Sequence, residues 1–399
     1  MLNTFATFRL PQTIFYGRDS FSKVGTESAA RGKKALIISD SIMESIGNVA
    51  RCGDYLDGAG VAHVSYTKVN TEPTDKYVAE ALQLLQSEGC DVIVAIGGGS
   101  CIDTAKAVAV TATNGGYVGD YMGGKTPIPN PAIPLIAIPT TAGTGSEVTD
   151  VTVIANTKDD VKMMIKHPAF MASVAIVDPV LTLSAPPKVT AATGVDALCH
   201  AIEAYISRLA HPMTDTLALA AIEGIVQNLP KAYANGDDVD AREKMSLAAM
   251  QAGAAFSNAS VCLVHGMSRP IGAVFHVPHG VSNAMLLPAV LEFSKDSAVE
   301  RLAVIARLVN PDLDLVSNRE AADALVREVK ELCNTLNIPN MKTWGIDKAA
   351  FDASVSKMAK DAIASGSPGN NPRVPSQQEI EDLYQVCYDY NFSTLVGQE

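Results

Sequence analysis

The chain has 399 residues, 47% of them apolar and 19% charged, a composition that supports two or three packed domains and excludes a largely disordered protein. It carries 31 basic and 43 acidic residues, a net charge of −12, so bulk charge gives it no attraction for nucleic acid or an anionic membrane surface. No apolar run approaches the ~20 residues of a spanning helix, and Arg9 and Pro11 interrupt any signal-peptide core.

The first half alternates short apolar runs with helical segments. Residues 34–40 and 61–66 read as strands, 77–87 as an amphipathic helix, 91–96 as a strand, 100–113 as a helix and 134–139 as a strand. Runs that are apolar throughout and separated by helices predict a parallel sheet covered on both faces. Two later strands, 151–154 and 174–177, are expected to pair as a hairpin. The grammar changes near residue 184. Beyond it lie long Ala-, Leu- and Met-rich stretches at 191–208, 215–229, 242–258, 296–309 and 319–336, all of helical period. The expectation is an α/β domain over residues 1–184 and an all-helical domain over 185–399. The seven cysteines show no paired spacing and read as reduced, buried thiols of a cytoplasmic protein. Cys101, Cys199 and Cys262 lie beside motifs described below but are expected to be packing residues.

Gly97-Gly98-Gly99-Ser100 sits between a strand and a helix, with Asp103 just beyond. Such a turn lets a pyrophosphate approach the backbone and the free N–H groups of the helix start. It also suits a plain tight connection, and it is not G-x-G-x-x-G. The run 139–147, with Thr140, Thr141 and Thr144, follows another strand and suits a phosphate or a ribose. Asp40 ends the first strand. It can accept from ribose hydroxyls and repel a 2′-phosphate, which favours NAD over NADP, or it can simply cap the helix that follows. Lys162 can neutralise phosphate or be an ordinary solvated lysine.

In the second half Asp196 and His200 stand at i and i+4, on one helix face. His265 and His279 complete a set of one carboxylate and three imidazoles, which suits Fe(II) or Zn(II). His276 lies between the last two. His63, His167 and His211 show no such company and read as structural.

Together, residues 11–17, 97–103, 139–147 and 192–203, His279-Gly280 with Asn283-Ala284, and Asn371-Pro372-Arg373 resemble the iron-containing (group III) alcohol dehydrogenase family over nearly the whole chain. The resemblance implies a dehydroquinate-synthase-like fold whose N-terminal domain binds NAD(P), whose helical domain binds the metal, and whose cleft holds the substrate. It implies metal ligands at Asp196, His200, His265 and His279, a ribose carboxylate at Asp40, a phosphate turn at Gly98, Gly99 and Ser100, nicotinamide-side hydroxyls at Thr140 and Thr141, and a cofactor-facing lysine at Lys162. It also implies a dimer or a multiple of dimers.

One departure stands out. Many members read His-x-x-x-His at the third ligand, whereas Arg269 occupies the second histidine position here. His276 is then the remaining candidate for the proton relay. Arg269 is a candidate anchor for a carboxylate, sulfonate or phosphonate on the substrate, or else an ion-pair or cofactor-phosphate contact. The expected reaction is reversible hydride transfer between a short primary alcohol and NAD. The alternatives are a reductase for an anionic aldehyde, a hydroxyacid–oxoacid transhydrogenase, a lyase of the same fold, and a scaffold with an inert site. Residues 117–121 and Phe256 and Phe275 are candidate pocket residues.

Overall fold

Eight strands and fifteen α-helices order the chain in a computed structural model that describes residues 5–159 and 161–393. The strands are β1 (Thr13–Tyr16), β2 (Lys34–Ile38), β3 (Ala62–Tyr66), β4 (Val92–Gly97), β5 (Leu135–Pro139), β6 (Val151–Asn156), β7 (Val161–Lys166) and β8 (Val174–Val177). The helices of this half are α1 (Lys23–Ala29), α2 (Ser41–Ser45), α3 (Asn48–Gly58), α4 (Asp75–Glu88) and α5 (Gly99–Asn114). Among the described residues, those from 9 to 185 form one compact unit; those from 186 to 393 form a second, which also takes in residues 5–8. Phe8 meets the ring of His211 edge-on in that second unit. Residues 5–8 therefore group with the helical unit, where the 1–184 boundary expected them in the α/β unit.

Six strands form one parallel sheet in the order β1-β8-β5-β4-β2-β3. Alternate residues supply two separate cores. Leu36, Ile38, Ile93 and Ala95 pack on one side with Val78 and Leu85 of α4 and Ile102 and Val108 of α5. Ala35, Ile37, Val92, Val94 and Ile96 pack on the other with Val24 of α1 and Val49, Cys52 and Leu56 of α3. Burial on both faces is why β2 and β4 read as continuous apolar runs. Each such isoleucine or valine contributes about 1.5–3 kcal/mol of burial free energy.

One pairing differs from expectation. Residues 174–177 do not pair with 151–154; they form β8, inside the main sheet between β1 and β5. The hairpin partner of β6 is β7, antiparallel in a separate two-stranded sheet. The burial patterns show the reason. β8 is buried at every position, as a central parallel strand must be, whereas β7 is buried only at Met163 and Ile165.

The second unit is helical: α6 (Pro187–Ile206), α7 (Pro212–Ala234), α8 (Val239–Ala259), α9 (Leu263–Phe275), α10 (His279–Ser294), α11 (Val299–Val309), α12 (Asn318–Thr335), α13 (Met341–Trp344), α14 (Lys348–Ala364) and α15 (Gln377–Tyr388). Helix α6 is its axis. It is buried on nearly every side from Thr190 to Ile206 and packs against α7, α8 and α10. All seven cysteines are free and buried. Among the described residues no single helix is long and apolar enough to cross a bilayer.

Candidate metal centre and nucleotide cradle

In the helical unit, α6 carries Asp196 and His200 one turn apart, α9 carries His265 in its first turn, and α10 begins at His279. Gly280 makes this convergence possible: a Cβ there would lie 2.9 Å from the Ala192 carbonyl oxygen, so only glycine lets α10 start this close to α6. One donor atom from each of the four residues lies within 4.8 Å of all the others. Asp196, His200 and His265 are buried, and His279 is partly open. The rings are layered. His200 stacks on Phe256 at 4.1 Å between centroids and on His265 at 4.4 Å.

The tautomer of His265 is fixed from behind. Glu203, one helical turn beyond His200, accepts from the Val264 N–H at 2.6 Å and lies 2.6 Å from His265 Nδ1. An ionised carboxylate only accepts, so Nδ1 donates and the lone pair of Nε2 faces the other ligands. Burial disfavours charge on His265, but Glu203 first and Asp196 next raise its pKa above the usual imidazole value. Burial likewise works against the Asp196 carboxylate, and His200, His279 and His265 more than offset it, holding its pKa well below the usual range.

The donor set fits a divalent ion by its own chemistry. The Asn283 amide nitrogen stands 2.6 Å from Asp196 Oδ1, 3.1 Å from His265 Nε2 and 3.2 Å from His279 Nε2. An amide has two protons and cannot serve three acceptors. Three lone-pair groups thus converge on one locus, and an oxygen–imidazole set of this kind matches Fe(II) or Zn(II).

Arg269 lies one turn beyond His265 on α9. Its Nη1 donates to Ser367 Oγ at 2.8 Å. Burial lowers its pKa to about 10, opposed by the charge of Glu203. His276 caps α9 in the left-handed region with φ 55° and is exposed. It makes no hydrogen bond or ion pair with the four ligand residues. His63 lies 3.4 Å from Asp57, His167 caps the turn that follows it, and His211 starts α7, all structural positions.

In the α/β unit, the strand order reverses between β2, which continues outward to β3, and β4, which continues the other way to β5. Ligands of open α/β sheets bind at the carboxyl ends of such strands. Here those ends present Asp40 after β2, Gly97–Ser100 after β4 and Thr140–Thr144 after β5. Gly97 has φ +152°, and a Cβ on it would meet Cys101 Sγ at 2.6 Å and Asp40 Oδ2 at 3.1 Å. Gly98 is different. A Cβ there would meet nothing nearer than Thr141 at 3.9 Å, so the protein itself leaves that space open over the start of α5. Gly98 caps α5 without a side chain, which leaves first-turn N–H groups for a ligand.

Asp40 does cap α2, with Oδ1 accepting from the N–H groups of Ile42 and Met43; its Oδ2 accepts from the Cys101 thiol at 3.6 Å. Thr140 is buried, with its N–H bonded to the Gly97 carbonyl. Two expected cofactor residues are engaged inside the protein. Asp103 accepts from Ser146 Oγ at 2.5 Å and from the Val153 N–H at 2.8 Å, so it braces the 144–146 turn and β6 rather than facing outward. Lys162 pairs with Glu72 at 3.1 Å, which ties the hairpin to the segment following β3. Tyr117 packs on the same hairpin, its hydroxyl bonded to Asp75 at 3.0 Å.

Sequence reasoning left Glu203, Asn283 and Ser367 without roles. Glu203 was findable, because it follows Asp196 by seven and His200 by three residues on one helix face.

Residues 11–179 match the family described as iron-containing alcohol dehydrogenase, and residues 190–388 match the C-terminal region of the Fe-containing alcohol dehydrogenase family. The chain is 38% identical over 385 residues to 1,3-propanediol dehydrogenase of Citrobacter freundii, covering 96% of this chain and 98% of that one. It is 37% identical over 377 residues to NAD-dependent methanol dehydrogenase of Bacillus methanolicus, covering 94% and 98%. The crystal structure of a 1,3-propanediol oxidoreductase superposes with a TM-score of 0.92 at 36% identity, covering 96% of this chain and all of that one.

Proposed function

Because the chain belongs to the iron-containing alcohol dehydrogenase family, and is an oxidoreductase of that family, we propose that it transfers hydride between a short-chain primary alcohol and NAD, with Asp196, His200, His265 and His279 holding the ion. The observation that carries the reading is the Glu203-fixed imidazole of His265, whose lone pair meets those of Asp196 and His279 on one point. The Asp40 carboxylate beside the glycine turn supports NAD rather than NADP, and the name of the methanol dehydrogenase relative agrees.

In the oxidising direction the alcohol loses a hydride from carbon and a proton from oxygen, giving aldehyde, NADH and H⁺. Asp196, His200, His265 and His279 would hold a divalent ion, which would supply Lewis acidity at the alcohol oxygen, and the glycine turn with Asp40 would hold a nicotinamide cofactor as the hydride acceptor. The chain's own residues do the rest. Asp196 contributes the single negative charge of the ligand set, so a bound divalent ion would keep net positive charge there. Glu203 keeps His265 in the ligating tautomer. Phe256 covers one face of His200 and keeps water from it. Gly98 leaves room for phosphate above the first turn of α5, and Asp40 accepts from the ribose. His276, exposed at the end of α9, exchanges the released proton with solvent.

Anaerobic reconstitution with Fe(II), followed by NAD-linked oxidation of short primary alcohols, tests this. The expected result is net NADH formation that His265→Ala abolishes together with ion binding. Turnover retained by His265→Ala overturns the ligand assignment. Interconversion of an alcohol and an aldehyde with no net NADH would make the protein a transhydrogenase instead.

A further inference from the structure

Arg269 is a half-buried cation with one neutral partner among the described residues. Its guanidinium offers five N–H donors. Among the described residues only Ser367 Oγ accepts from it, and no carboxylate lies within ion-pair distance. The charge that opposes its desolvation is that of Glu203, both of whose oxygens are already engaged by Val264 and His265. A buried or half-buried guanidinium is costly unless an anion meets it, and its planar fork fits the oxygens of a carboxylate, sulfonate or phosphonate. Among the described residues no such anion meets it.

The position relates the charge to the chemistry. Arg269 follows His265 by four residues on α9, so both side chains lie on one face, about 6 Å apart along the axis. Ser367, on the short turn Ser367–Asn370 that packs against α9, holds the guanidinium from one side and leaves the rest of the fork to a ligand. The separation of one helical turn suits a substrate whose acid group is one or two carbons from the reacting carbon.

We propose that Arg269, steadied by Ser367, is the binding residue for an anionic group on the substrate, and that the physiological substrate is a short aldehyde or alcohol ending in a carboxylate, sulfonate or phosphonate. This rests on the dehydrogenase reading above. The reaction balances as before: aldehyde, NADH and H⁺ give the alcohol and NAD⁺, with the acid group unchanged.

The test is a matched series of aldehydes, R–CH₂–CHO, with R a methyl, carboxylate, sulfonate or phosphonate group, reduced by the Fe(II)-loaded protein with NADH. At least one anionic member is expected to exceed propanal in kcat/KM by on the order of 100-fold, and its rank among the three identifies the acid. Arg269→Gln is expected to remove that advantage, chiefly through KM, so that the anionic aldehydes and propanal come within about threefold of one another. Arg269→Lys, which keeps the charge and loses the fork, should fall between. Equal loss on every aldehyde, a raised KM for NADH, or a wild-type preference for propanal overturns the proposal. Calorimetric titration with 3-hydroxypropanoate, 2-hydroxyethanesulfonate and 2-hydroxyethylphosphonate separates this proposal from the reading beneath it. If no aldehyde is reduced, the dehydrogenase reading fails. Binding of one anion that Arg269→Gln weakens at least tenfold then still supports Arg269 as an anion site, and binding of none overturns it.

Discussion

Replacing Glu203 by glutamine isolates the part of the metal centre that no ligand residue supplies. The native carboxylate serves two donors at once, the Val264 N–H and His265 Nδ1–H, each at 2.6 Å. Glutamine keeps one accepting oxygen and sets an NH₂ where the other oxygen was. That NH₂ faces a donor. Either the Val264 N–H loses its partner, or the imidazole moves its proton to Nε2 and accepts at Nδ1. The first outcome costs about 1–3 kcal/mol as an unmet buried donor. The second puts a proton where the ligating lone pair belongs. Loss of such a carboxylate–histidine contact lowers metal affinity about 10–100-fold, or roughly 1.4–2.7 kcal/mol. Competition for Fe(II) or Zn(II) against a chromophoric chelator, under anaerobic conditions for iron, measures the affinity directly. Thermal melting of the metal-free protein separates it from folding. A Glu203→Gln protein that binds the ion within threefold of wild type, with the metal-free melt unchanged, would refute the assignment of Glu203 as the residue that orients His265.

Four further substitutions probe the α/β unit. Gly98→Ala has room for its Cβ, so its melting temperature should match wild type while its Kd for NADH rises at least tenfold; unchanged NADH affinity argues against a phosphate seat there. Gly97→Ala, with φ +152° and a clash with Cys101, should instead lose about 1–3 kcal/mol of stability in denaturant titration, and a wild-type midpoint would contradict the geometry. Asp40→Ser keeps a capping oxygen for α2 and removes the charge, so the NADPH-to-NADH ratio of kcat/KM should rise at least tenfold; a constant ratio removes Asp40 from cofactor selection. Glu147 is buried, its Oε2 has no hydrogen-bond partner among the described residues, and burial raises its pKa to about 7. The folded state therefore holds a proton that the unfolded state releases near pH 4.3, so its contribution to stability is full below that pH and is lost as pH rises through 7. Glu147→Gln should gain on wild type progressively between those limits in thermal melts, and parallel curves would contradict the protonated state.

The sheet was legible where periodicity is a local property and illegible where pairing is not. β2, β4 and β5 are apolar at nearly every position because helices cover both faces, and that pattern is written in consecutive residues. β1 is four residues long on the sheet edge, too short for any period to register. β7 reads Val-Lys-Met-Met-Ile-Lys, with a lysine second and last and methionines between, and only Met163 and Ile165 are buried. The misplacement of 174–177 shows the limit plainly. Val-Ala-Ile-Val is apolar throughout, the signature of a doubly covered strand, while hairpin strands that alternate have one solvated face. Neighbourhood in sequence suggested the hairpin; composition already favoured the parallel sheet.

The metal centre divides in the same way. Asp196 and His200 share a face by helical geometry alone, and the scarcity of histidine draws notice to His265 and His279. What no spacing reveals is that the start of α9 settles over Glu203, 61 residues earlier than Val264, or that Ser367 returns to Arg269 from 98 residues away. Glutamate on a helix face usually signals solvent, and serine before proline and glycine usually signals a turn. Here both are drawn to the same short helix, for opposite electrostatic reasons. Glu203 is satisfied: its charge is spent on two donors, and it fixes an imidazole. Arg269, one turn further on, meets only a hydroxyl among the described residues. A cluster in which each acidic group is matched and one cation is not is incomplete as a piece of protein. The missing charge is negative, and on the proposed reading an acid group of the substrate brings it.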